Sequence, residues 1–432
     1  MSFPVHVWSS LGESQRSTLL SRPSPERQGV RETVAAILAG VRRDGDLAVR
    51  AFSEQFDGTA ADPLRAPREQ LESAARQCTP GLLSALDSAA KRIGVFHQAG
   101  KPRDYQAETA PGLVCEARYL PMSPVGLYVP GGSAPLVSTV LMLAIPARLA
   151  GCERIVLCTP PGADGRINPA LLAAAHRCGI EEIYAVGGAQ AIAAMAYGTQ
   201  TIPRCVKIFG PGNAWVTEAK RQAAASPDGA AQDLPAGPSE VLIIADQGAD
   251  IEAVCWDLLS QAEHGPDSQS ILISNDTAVL VSVAERISVL ARSLPRARIL
   301  DESLGFLRLI RVNSLDEALE ISNRYAPEHL ILNCDKAHER STAVTHAGSV
   351  FIGAWTPESL GDYCSGTNHV LPTNGYARAY GGLSVIDFMR RMTLQTASRE
   401  GLATAGPDAL EMSALEGLDA HRMAVQHRLD SQ

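Results

Sequence analysis

PVGLYVPGG, residues 124–132, joins a short apolar run to a pair of glycines, and the residues behind it, 136–150, are predicted to form a helix. Two later stretches repeat this arrangement: EIYAVGG (182–188) and CVKIFGPGN (205–213). Short apolar runs that alternate with helical segments are typical of βαβ units and of a parallel sheet. The sequence therefore predicts an α/β fold.

The same alternation resumes in the second half of the chain. The apolar runs there are SEVLIIAD (239–246), QSILIS (269–274), LRLIRV (307–312) and EHLILN (328–333), with helices predicted over 250–262, 276–292 and 314–325. A segment rich in Gly, Pro and Ala, SPDGAAQDLPAGPS (226–239), separates the two halves and is the best candidate for a linker. We therefore expect two α/β units, preceded by a helical N-terminal quarter and followed, from about residue 383, by a segment without strand rhythm.

Composition narrows the class of protein. The chain has 432 residues, 45% of them hydrophobic, and a formal net charge of −9. Such a length can bury two cores, and the negative charge gives no electrostatic reason to bind nucleic acid. The N-terminus, MSFPVHVWSSLGESQRS, lacks a basic segment followed by an apolar one, so we expect a cytoplasmic protein without a membrane span. Nine cysteines without CxxC spacing predict reduced thiols.

Glycine-rich strand exits are the first candidate ligand sites, because parallel sheets bind ligands at the carboxyl ends of their strands. Three exits each close a strand and open a helix: YVPGGSAP (128–135), VGGAQA (186–191) and FGPGNAW (209–215). Backbone N–H groups at a helix start favour anions such as phosphate. None of the three has the G-x-G-x-x-G spacing, since Trp215 stands where the third glycine would be. Plain turns and a phosphate-bearing ligand both remain open.

Two pairs of polar residues in the C-terminal half could hold a metal ion. Gln261 and His264 in SQAEHG are three apart at a predicted helix end, close enough to face one ion. Glu416 and His421 in LEGLDAHR would point about 140° apart on one helix, so Gly417 is expected to break it. A solvated helix end is the simpler explanation for Gln261 and His264, and a solvated helix face is the simpler one for Glu416 and His421.

Two further groupings combine carboxylates with histidines. Asp362 and His369 lie in a predicted Gly/Ser-rich loop, where a turn-forming Asp is the simpler explanation. Glu328 and His329 in YAPEHLIL stand at the mouth of a buried strand. Adjacent strand residues face opposite sides, so the two can share a site only if Pro327 makes the strand entry irregular. An acid–base pair and a solvated Glu beside a buried His both fit these residues.

Taken together, the motifs resemble the histidinol dehydrogenase family. The blocks that carry the resemblance are SPVGLYVPGGSAPLVSTVLMLAIPA, VGGAQAIAAMAYGT, KIFGPGNAWVTEAKR, LPAGPSEVLIIAD, SQAEHGPDSQSILIS, RYAPEHLIL, AGSVFIGAWTPESLGDYCSGTNHVLPT and EGLDAHR. The resemblance implies oxidation of L-histidinol to L-histidine through L-histidinaldehyde in two NAD-dependent steps, with one zinc ion per subunit. It also implies a homodimer with shared active sites.

The resemblance assigns a role to each matching residue. The implied proton-transfer pair is Glu328 and His329, and how the two divide the steps stays open. The implied zinc ligands are Gln261, His264, Asp362 and His421. The implied substrate contacts are Ser239, His329, Glu416 and the four zinc ligands. The implied NAD contacts are Tyr128, Gln190 and Asn213, one in each glycine-rich exit, and His369 is expected near the site.

The resemblance also implies two incomplete Rossmann-like domains, similar to those of aldehyde dehydrogenases, with small helical segments at both ends. The expected boundaries are 1–25 for an N-terminal helical segment, 26–127 with 238–382 for the first α/β domain, 128–237 for the NAD-binding domain and 383–432 for a dimerisation segment. Three alternatives remain at this point: a related zinc dehydrogenase for another small alcohol, a zinc hydrolase with Glu328 as base, and a non-catalytic nucleotide-binding protein.

Overall fold

The computed structural model describes residues 3–23, 29–131, 135–235 and 237–431, so the loop positions 132–134 lie outside the described residues. The strands are β1 (Val5–Val7), β2 (Tyr105–Ala110), β3 (Leu113–Pro121), β4 (Val125–Tyr128), β5 (Ile155–Thr159), β6 (Glu182–Ala185), β7 (Lys207–Phe209), β8 (Ala231–Gln232), β9 (Glu240–Ala245), β10 (Gln269–Ser274), β11 (Arg308–Arg311), β12 (His329–Asn333), β13 (Ser349–Ile352) and β14 (Met389–Ala397).

The α-helices complete the framework. They are α1 (Glu13–Leu19), α2 (Val30–Asp44), α3 (Asp46–Asp57), α4 (Arg68–Ala74), α5 (Pro80–Ala99), α6 (Val137–Ala150), α7 (Pro169–Arg177), α8 (Gly188–Tyr197), α9 (Ala214–Ala225), α10 (Ile251–Ala262), α11 (Thr277–Ala291), α12 (Ala297–Ser303), α13 (Leu315–Tyr325), α14 (Ala337–Arg340), α15 (Glu358–Tyr363), α16 (Arg399–Leu415) and α17 (Asp419–Asp430). No helix within the described ranges is long and apolar enough to span a membrane.

Two parallel sheets form the body of the protein, as the alternating sequence predicts. One has five strands in the order β6-β5-β4-β7-β8, and the other has six in the order β1-β11-β10-β9-β12-β13. Strand β4 lies between β5 and β7, and β9 lies between β10 and β12. The expected α/β fold with two incomplete Rossmann-like sheets is confirmed.

Helices cover both faces of each sheet, which is why the strands read as unbroken apolar runs. In β9, Val241 and Ile243 pack with α10, α11 and α12, whereas Leu242 and Ile244 pack with α1 and α13. Side chains that alternate along the strand thus serve two separate cores. Capping residues help to fix the helix starts: Asp250, Asp276 and Ser314 each accept a hydrogen bond from a backbone N–H in the first turn of α10, α11 and α13.

A third sheet was not expected. Strands β14, β3 and β2 form an antiparallel sheet, although β2 and β3 precede the first predicted strand and β14 falls in the segment said to lack strand rhythm. The reason is exposure: every residue of β2 before Ala110 is exposed, and most of β14 is exposed as well. Without a buried face, these strands carry no apolar alternation in the sequence.

The N-terminal helices pack differently from the expected grouping of 26–127 with 238–382. Helices α2 and α3 pack on α8 and α9, α4 packs on α7, and α5 packs on α6, so all four belong to the layers around the five-stranded sheet. The segment 1–25 is also not purely helical, because β1 pairs with β11 at the edge of the six-stranded sheet. Sequence periodicity reports that a helix has an apolar face, not which sheet that face meets. The positions of the domain boundaries stay predictions.

The C-terminal segment ends in a helical hairpin. Helices α16 and α17 pack on each other, and Gly417, with φ 70°, makes the turn between them. No residue of α17 is buried, while Leu415 is 91% and Met412 60% exposed. Large apolar side chains at this exposure are typical of a surface that a partner covers.

Candidate active site

A cavity of about 320 Å³ lies where the carboxyl ends of the five-stranded sheet face the six-stranded sheet. Residues from both halves line it: the five-stranded sheet contributes the loops at the carboxyl ends of its strands, as expected, whereas the six-stranded sheet contributes residues at the amino ends of β9 and β12. The predicted site residues on its wall are Asn213, Ser239, His264, Glu328, His329, Asp362 and His369. Free thiols were expected and are found at all nine cysteines, which lie within the described ranges, and none of them lines the cavity.

Glu328 and His329 reach the same cavity because the chain bends sharply before β12. Helix α13 ends at Tyr325, Ala326 adopts a left-handed conformation (φ 56°, ψ 68°), and Pro327 leads into the strand. The irregular entry that a shared site requires is therefore present. Both side chains are buried, and Glu328 Oε2 lies 3.8 Å from His329 Nδ1.

Backbone and side-chain contacts hold the pair in place. The backbone N–H of Glu240 donates to Glu328 Oε2 at 3.0 Å, and the carbonyl oxygen of Glu240 lies 3.3 Å from His329 Nδ1. The Gln261 amide lies 3.0 Å from the same Nδ1. Nδ1 therefore contacts groups of the protein itself. Nε2 is buried and has no hydrogen-bond partner in the described part of the chain, so it is the nitrogen available to a ligand.

Helix α15 supplies two carboxylates to one side of the site. The sequence placed Asp362 in a loop, but it lies in the last turn of α15, four residues after Glu358 and on the same helix face. Asp362 Oδ1 lies 3.6 Å from His329 Nε2, and its other oxygen lies 3.9 Å from His264 Nε2. The backbone oxygen of Asp362 lies 2.8 Å from His369 Nδ1, and His369 lies on the wall of the same cavity.

Glu358 was missed at the sequence level. It is 1% exposed, and its Oε1 lies 3.6 Å from His329 Nδ1. When the Gln261 amide is oriented with its nitrogen toward Glu358, it donates to Glu358 Oε1 at 3.1 Å. The available signal was the i, i+4 spacing of two carboxylates in ESLGD, which only becomes visible once that segment is recognised as a helix.

Burial dominates the electrostatics of this group. Burial raises the pKa of Glu328 to about 8, although His329 opposes the shift, and burial likewise raises the pKa of Glu358 to about 8. Burial alone would lower the pKa of His329, but Glu358, Glu328 and Asp362 together outweigh it and raise the pKa to about 10. Together these groups therefore bind more protons near neutral pH than the same side chains would in water.

The donor set fits a divalent cation. Ligand atoms of His264, Glu358 and Asp362 all lie within 4.8 Å of one another, and Gln261 adjoins Glu358. Imidazole and carboxylate donors are those that zinc prefers, whereas an amide oxygen is an uncommon ligand. Glu358 Oε2 is buried without a hydrogen-bond partner among the described residues, which is costly unless a ligand or a proton compensates it.

The three predicted NAD contacts differ in their access to the cavity. Asn213 lines it and caps α9, its side chain accepting from the N–H groups of Trp215 and Val216. Tyr128 is buried and its hydroxyl accepts from the Gly188 N–H at 3.1 Å. Gln190 is also buried, and it donates to Asp57 at 3.0 Å. Neither Tyr128 nor Gln190 is on the cavity wall.

The loop that carries Asn213 is held by a buried ion pair. Gly210, with φ 119°, donates through its N–H to Asp233 at 2.8 Å and accepts from Lys220 Nζ at 2.9 Å. Lys220 and Asp233 also pair with each other. A Cβ on Gly210 would lie 2.1 Å from the carbonyl oxygen of Tyr128, so only glycine fits at this exit.

Glu416 and His421 are not brought to the cavity of this chain. As predicted, Gly417 breaks the helix, leaving Glu416 at the end of α16 and His421 in the first turn of α17. Both side chains are exposed, and neither lines the cavity. One chain therefore presents these two residues away from its own site.

Two parallel sheets that meet over a buried Glu–His pair, beside donors that fit a divalent cation, define an α/β enzyme with an acid–base site. A putative aldehyde dehydrogenase from Burkholderia cenocepacia shares this fold, with a TM-score of 0.50 at 14% identity over 90% of this chain and 88% of that chain. A family model described as histidinol dehydrogenase matches residues 20–429. The chain belongs to the histidinol dehydrogenase family, a family of oxidoreductases in histidine biosynthesis.

Individual relatives agree with this assignment. The chain is 51% identical over 425 residues to histidinol dehydrogenase from Xylella fastidiosa (strain Temecula1) and 52% identical over 423 residues to that from Xanthomonas campestris pv. campestris (strain 8004), with 98% of each chain covered. The crystal structure of histidinol dehydrogenase from Elizabethkingia anophelis superposes with a TM-score of 0.95 at 42% identity, over 100% of this chain and 98% of that one. The resemblance inferred from the motifs is confirmed.

The raised pKa values predict how stability depends on pH. Glu328, Glu358 and His329 have ordinary values of 4.5, 4.5 and 6.5, so the folded chain keeps protons that the unfolded chain releases. Stability is then fully present at low pH and is lost as pH rises toward the raised values. We expect the Tm of the metal-free protein to fall between about pH 6 and about pH 9, measured by differential scanning fluorimetry with a chelator present.

Glu328→Gln provides the control, because it removes one of the carboxyl groups that titrate in this range and should flatten the curve. Saturating Zn²⁺ should flatten the curve of the wild-type protein as well, since a bound cation takes the place of the protons. A wild-type Tm that rises steadily over this range in the presence of the chelator would contradict the assignment of protonated groups in the site.

Proposed function

We propose that this protein oxidises L-histidinol to L-histidine through L-histidinaldehyde, the last steps of histidine biosynthesis, with NAD as the hydride acceptor. The observation that carries the proposal is the buried Glu328–His329 pair on the wall of a cavity that opens between the two sheets. Its volume of about 320 Å³ suits a small amino alcohol. Membership of the family supports the choice of substrate.

Removal of a hydride from an alcohol requires a base for the hydroxyl proton, and His329 is proposed for this step. Its Nε2 has no hydrogen-bond partner within the described residues, and Nδ1 can carry the ring proton and donate it to the carbonyl oxygen of Glu240 at 3.3 Å. This arrangement leaves one ring nitrogen for the substrate. The alcohol loses a hydride and a proton, and the aldehyde forms.

The aldehyde step needs one oxygen atom from water. Glu328 is proposed as the base that activates this water, because a carboxylate with a pKa raised to about 8 is matched to proton transfer close to neutral pH. Water adds to the aldehyde to give a gem-diol, which loses a second hydride and a proton to become the carboxylic acid. No cysteine lines the cavity, which favours this route over a thiohemiacetal.

Zinc, when bound, would hold the imidazole and amino nitrogens of the substrate, and its charge would lower the pKa of His329 so that the ring is neutral. Gln261, His264 and Asp362 are the proposed ligands from one subunit. Glu358 would keep the Gln261 amide oriented by accepting from its nitrogen. Ser239 on the cavity wall is proposed to contact the substrate, and Asn213, with Tyr128 and Gln190 behind it, is proposed to form the NAD site.

A homodimer with shared active sites is part of the proposal. Glu416 and His421 are exposed on a hairpin whose apolar side chains, Leu415 and Met412 among them, are also exposed. We propose that the hairpin packs on a second copy of the chain, so that Glu416 contacts the substrate and His421 completes the zinc site in the neighbouring subunit. The cytoplasmic location stays a prediction.

Substitutions of Glu328 and of His329 should affect the oxidation of histidinol and the oxidation of histidinaldehyde to different extents. Glu328→Gln keeps the size of the side chain but removes the base, so we expect oxidation of histidinaldehyde to fall by about 10²- to 10⁴-fold while alcohol oxidation falls less. His329→Asn should show the opposite order. NADH formation from histidinol and from histidinaldehyde, measured separately, checks the assignment.

Glu263→Gln is the matched control, because Glu263 follows α10 near the site and does not line the cavity. It should leave both oxidations unchanged. Equal losses of the two oxidations in Glu328→Gln and in His329→Asn would refute the proposed division of roles.

Mixing two inactive variants tests the shared site. Oxidation of histidinaldehyde is the activity to follow, because Glu328→Gln and His421→Ala should each be nearly inactive in it alone. In a mixed dimer, one site receives both substitutions and the other receives neither, so unfolding and refolding the two together should restore about 25% of wild-type activity, if subunits pair at random. Activity that stays at the level of the separate variants would show that both residues serve the same chain.

A further inference from the structure

The corner before Glu328 needs external support. Ala326 has a Cβ and yet adopts the left-handed conformation, with φ 56° and ψ 68°. Residues other than glycine rarely hold this conformation unless their surroundings impose it. Because Glu328 follows two residues later, any relaxation of Ala326 would redirect the catalytic side chains.

Arg22 supplies the support from a distant part of the sequence. Its Nη2 donates to the carbonyl oxygen of Tyr325 at 2.9 Å and to that of Ala326 at 3.3 Å. Its guanidinium carbon also lies 3.9 Å from the centre of the Tyr325 ring. One planar group therefore holds two successive carbonyls and the ring of the residue that ends α13.

The same guanidinium is anchored on Glu240. Arg22 Nε and Nη2 contact the two carboxylate oxygens of Glu240 at 2.5 and 2.9 Å. The Tyr325 hydroxyl lies 2.9 Å from Glu240 Oε2 and 2.8 Å from Gln269 Oε1. Glu240 is 2% exposed, so this ion pair is shielded from water. A bidentate pair of this kind fixes the orientation of the guanidinium as well as its distance from the carboxylate.

Glu240 links this clamp to the catalytic pair. Its side chain holds Arg22, its backbone N–H donates to Glu328 Oε2 at 3.0 Å, and its carbonyl oxygen lies 3.3 Å from His329 Nδ1. Arg22 itself is not on the cavity wall. It therefore acts on the corner and on Glu240, and through them on Glu328 and His329.

We propose that Arg22 is a positioning residue that sets the orientation of Glu328 and His329 by clamping the Tyr325–Ala326 corner to Glu240. The proposal rests on the catalytic roles given above. Lysine keeps the charge at this position but cannot form the fork to a carboxylate and reach two carbonyls at once. Arg22→Lys therefore removes the fork to Glu240 and the paired contacts to the two carbonyls, while it retains the positive charge.

Arg16→Lys is the matched control. Arg16 lies in the same N-terminal segment, donates through Nε and Nη2 to the Trp8 carbonyl at 3.2 and 3.0 Å, and stacks 4.9 Å from the Trp8 ring. It shares the carbonyl and ring contacts of Arg22 but has no carboxylate fork, and none of its contacts reaches the corner. A general effect of losing a stacked arginine should therefore appear in both variants.

Two measurements separate positioning from simple stability. For Arg22→Lys, kcat with histidinol should fall by about 10- to 100-fold, because small displacements of catalytic groups are costly. KM should stay within about twofold, since the substrate contacts are kept. Amide hydrogen exchange over residues 325–330 should accelerate in Arg22→Lys and stay at the wild-type rate in Arg16→Lys.

Unchanged kcat in Arg22→Lys, or equal losses in both arginine variants, would overturn the proposal. If Arg22→Lys does not fold, Tyr325→Phe removes only the hydroxyl contacts to Glu240 and Gln269 and should lower kcat several-fold with little change in KM; an unchanged kcat there would also overturn the proposal. If the wild-type protein fails to oxidise histidinol, the proposed function fails, while the exchange rates of residues 325–330 still report whether Arg22 holds the corner.

Discussion

Buried charge at the junction of the two sheets is the constraint on which the rest of the structure depends. Glu328, Glu358 and His329 are almost completely buried, and Asp362 adjoins them. Several carboxylates cannot all ionise in such a place without compensation, so protons or a cation must be taken up. The same constraint makes the group useful, because it raises the pKa of Glu328 toward the range in which a base operates near neutral pH.

The positions of these groups follow from how the two parallel sheets meet. His329 is the first residue of β12, so the six-stranded sheet presents the amino ends of its strands to the cavity. The five-stranded sheet contributes the opposite wall through the Gly210 loop, which Lys220 and Asp233 hold in place. Each sheet alone would leave half of the cavity open. The site is a property of the interface between the two units.

Much of the fold can be predicted from the sequence. Strands buried on both faces appear as unbroken apolar runs, and helices appear as apolar residues at helical spacing. The exposed antiparallel sheet could not be predicted this way, because β2 and β14 have no buried face to mark them. The motifs predicted seven residues that lie on the cavity wall and five that do not, and Glu358 was missed because its partner Asp362 was taken to lie in a loop. Arg22 carries no sequence signal, because its contacts with Glu240 and Tyr325 connect segments that are far apart along the chain.

The central claim is a four-electron oxidation at a metal-dependent site, and stoichiometry tests it most directly. Purified protein would be given a limiting, known amount of L-histidinol with excess NAD, and the NADH formed would be counted before and after treatment with a chelator. The account predicts two NADH per histidinol, loss of activity with the chelator and recovery with Zn²⁺. A single NADH per histidinol, or full activity after complete removal of metal, would contradict it.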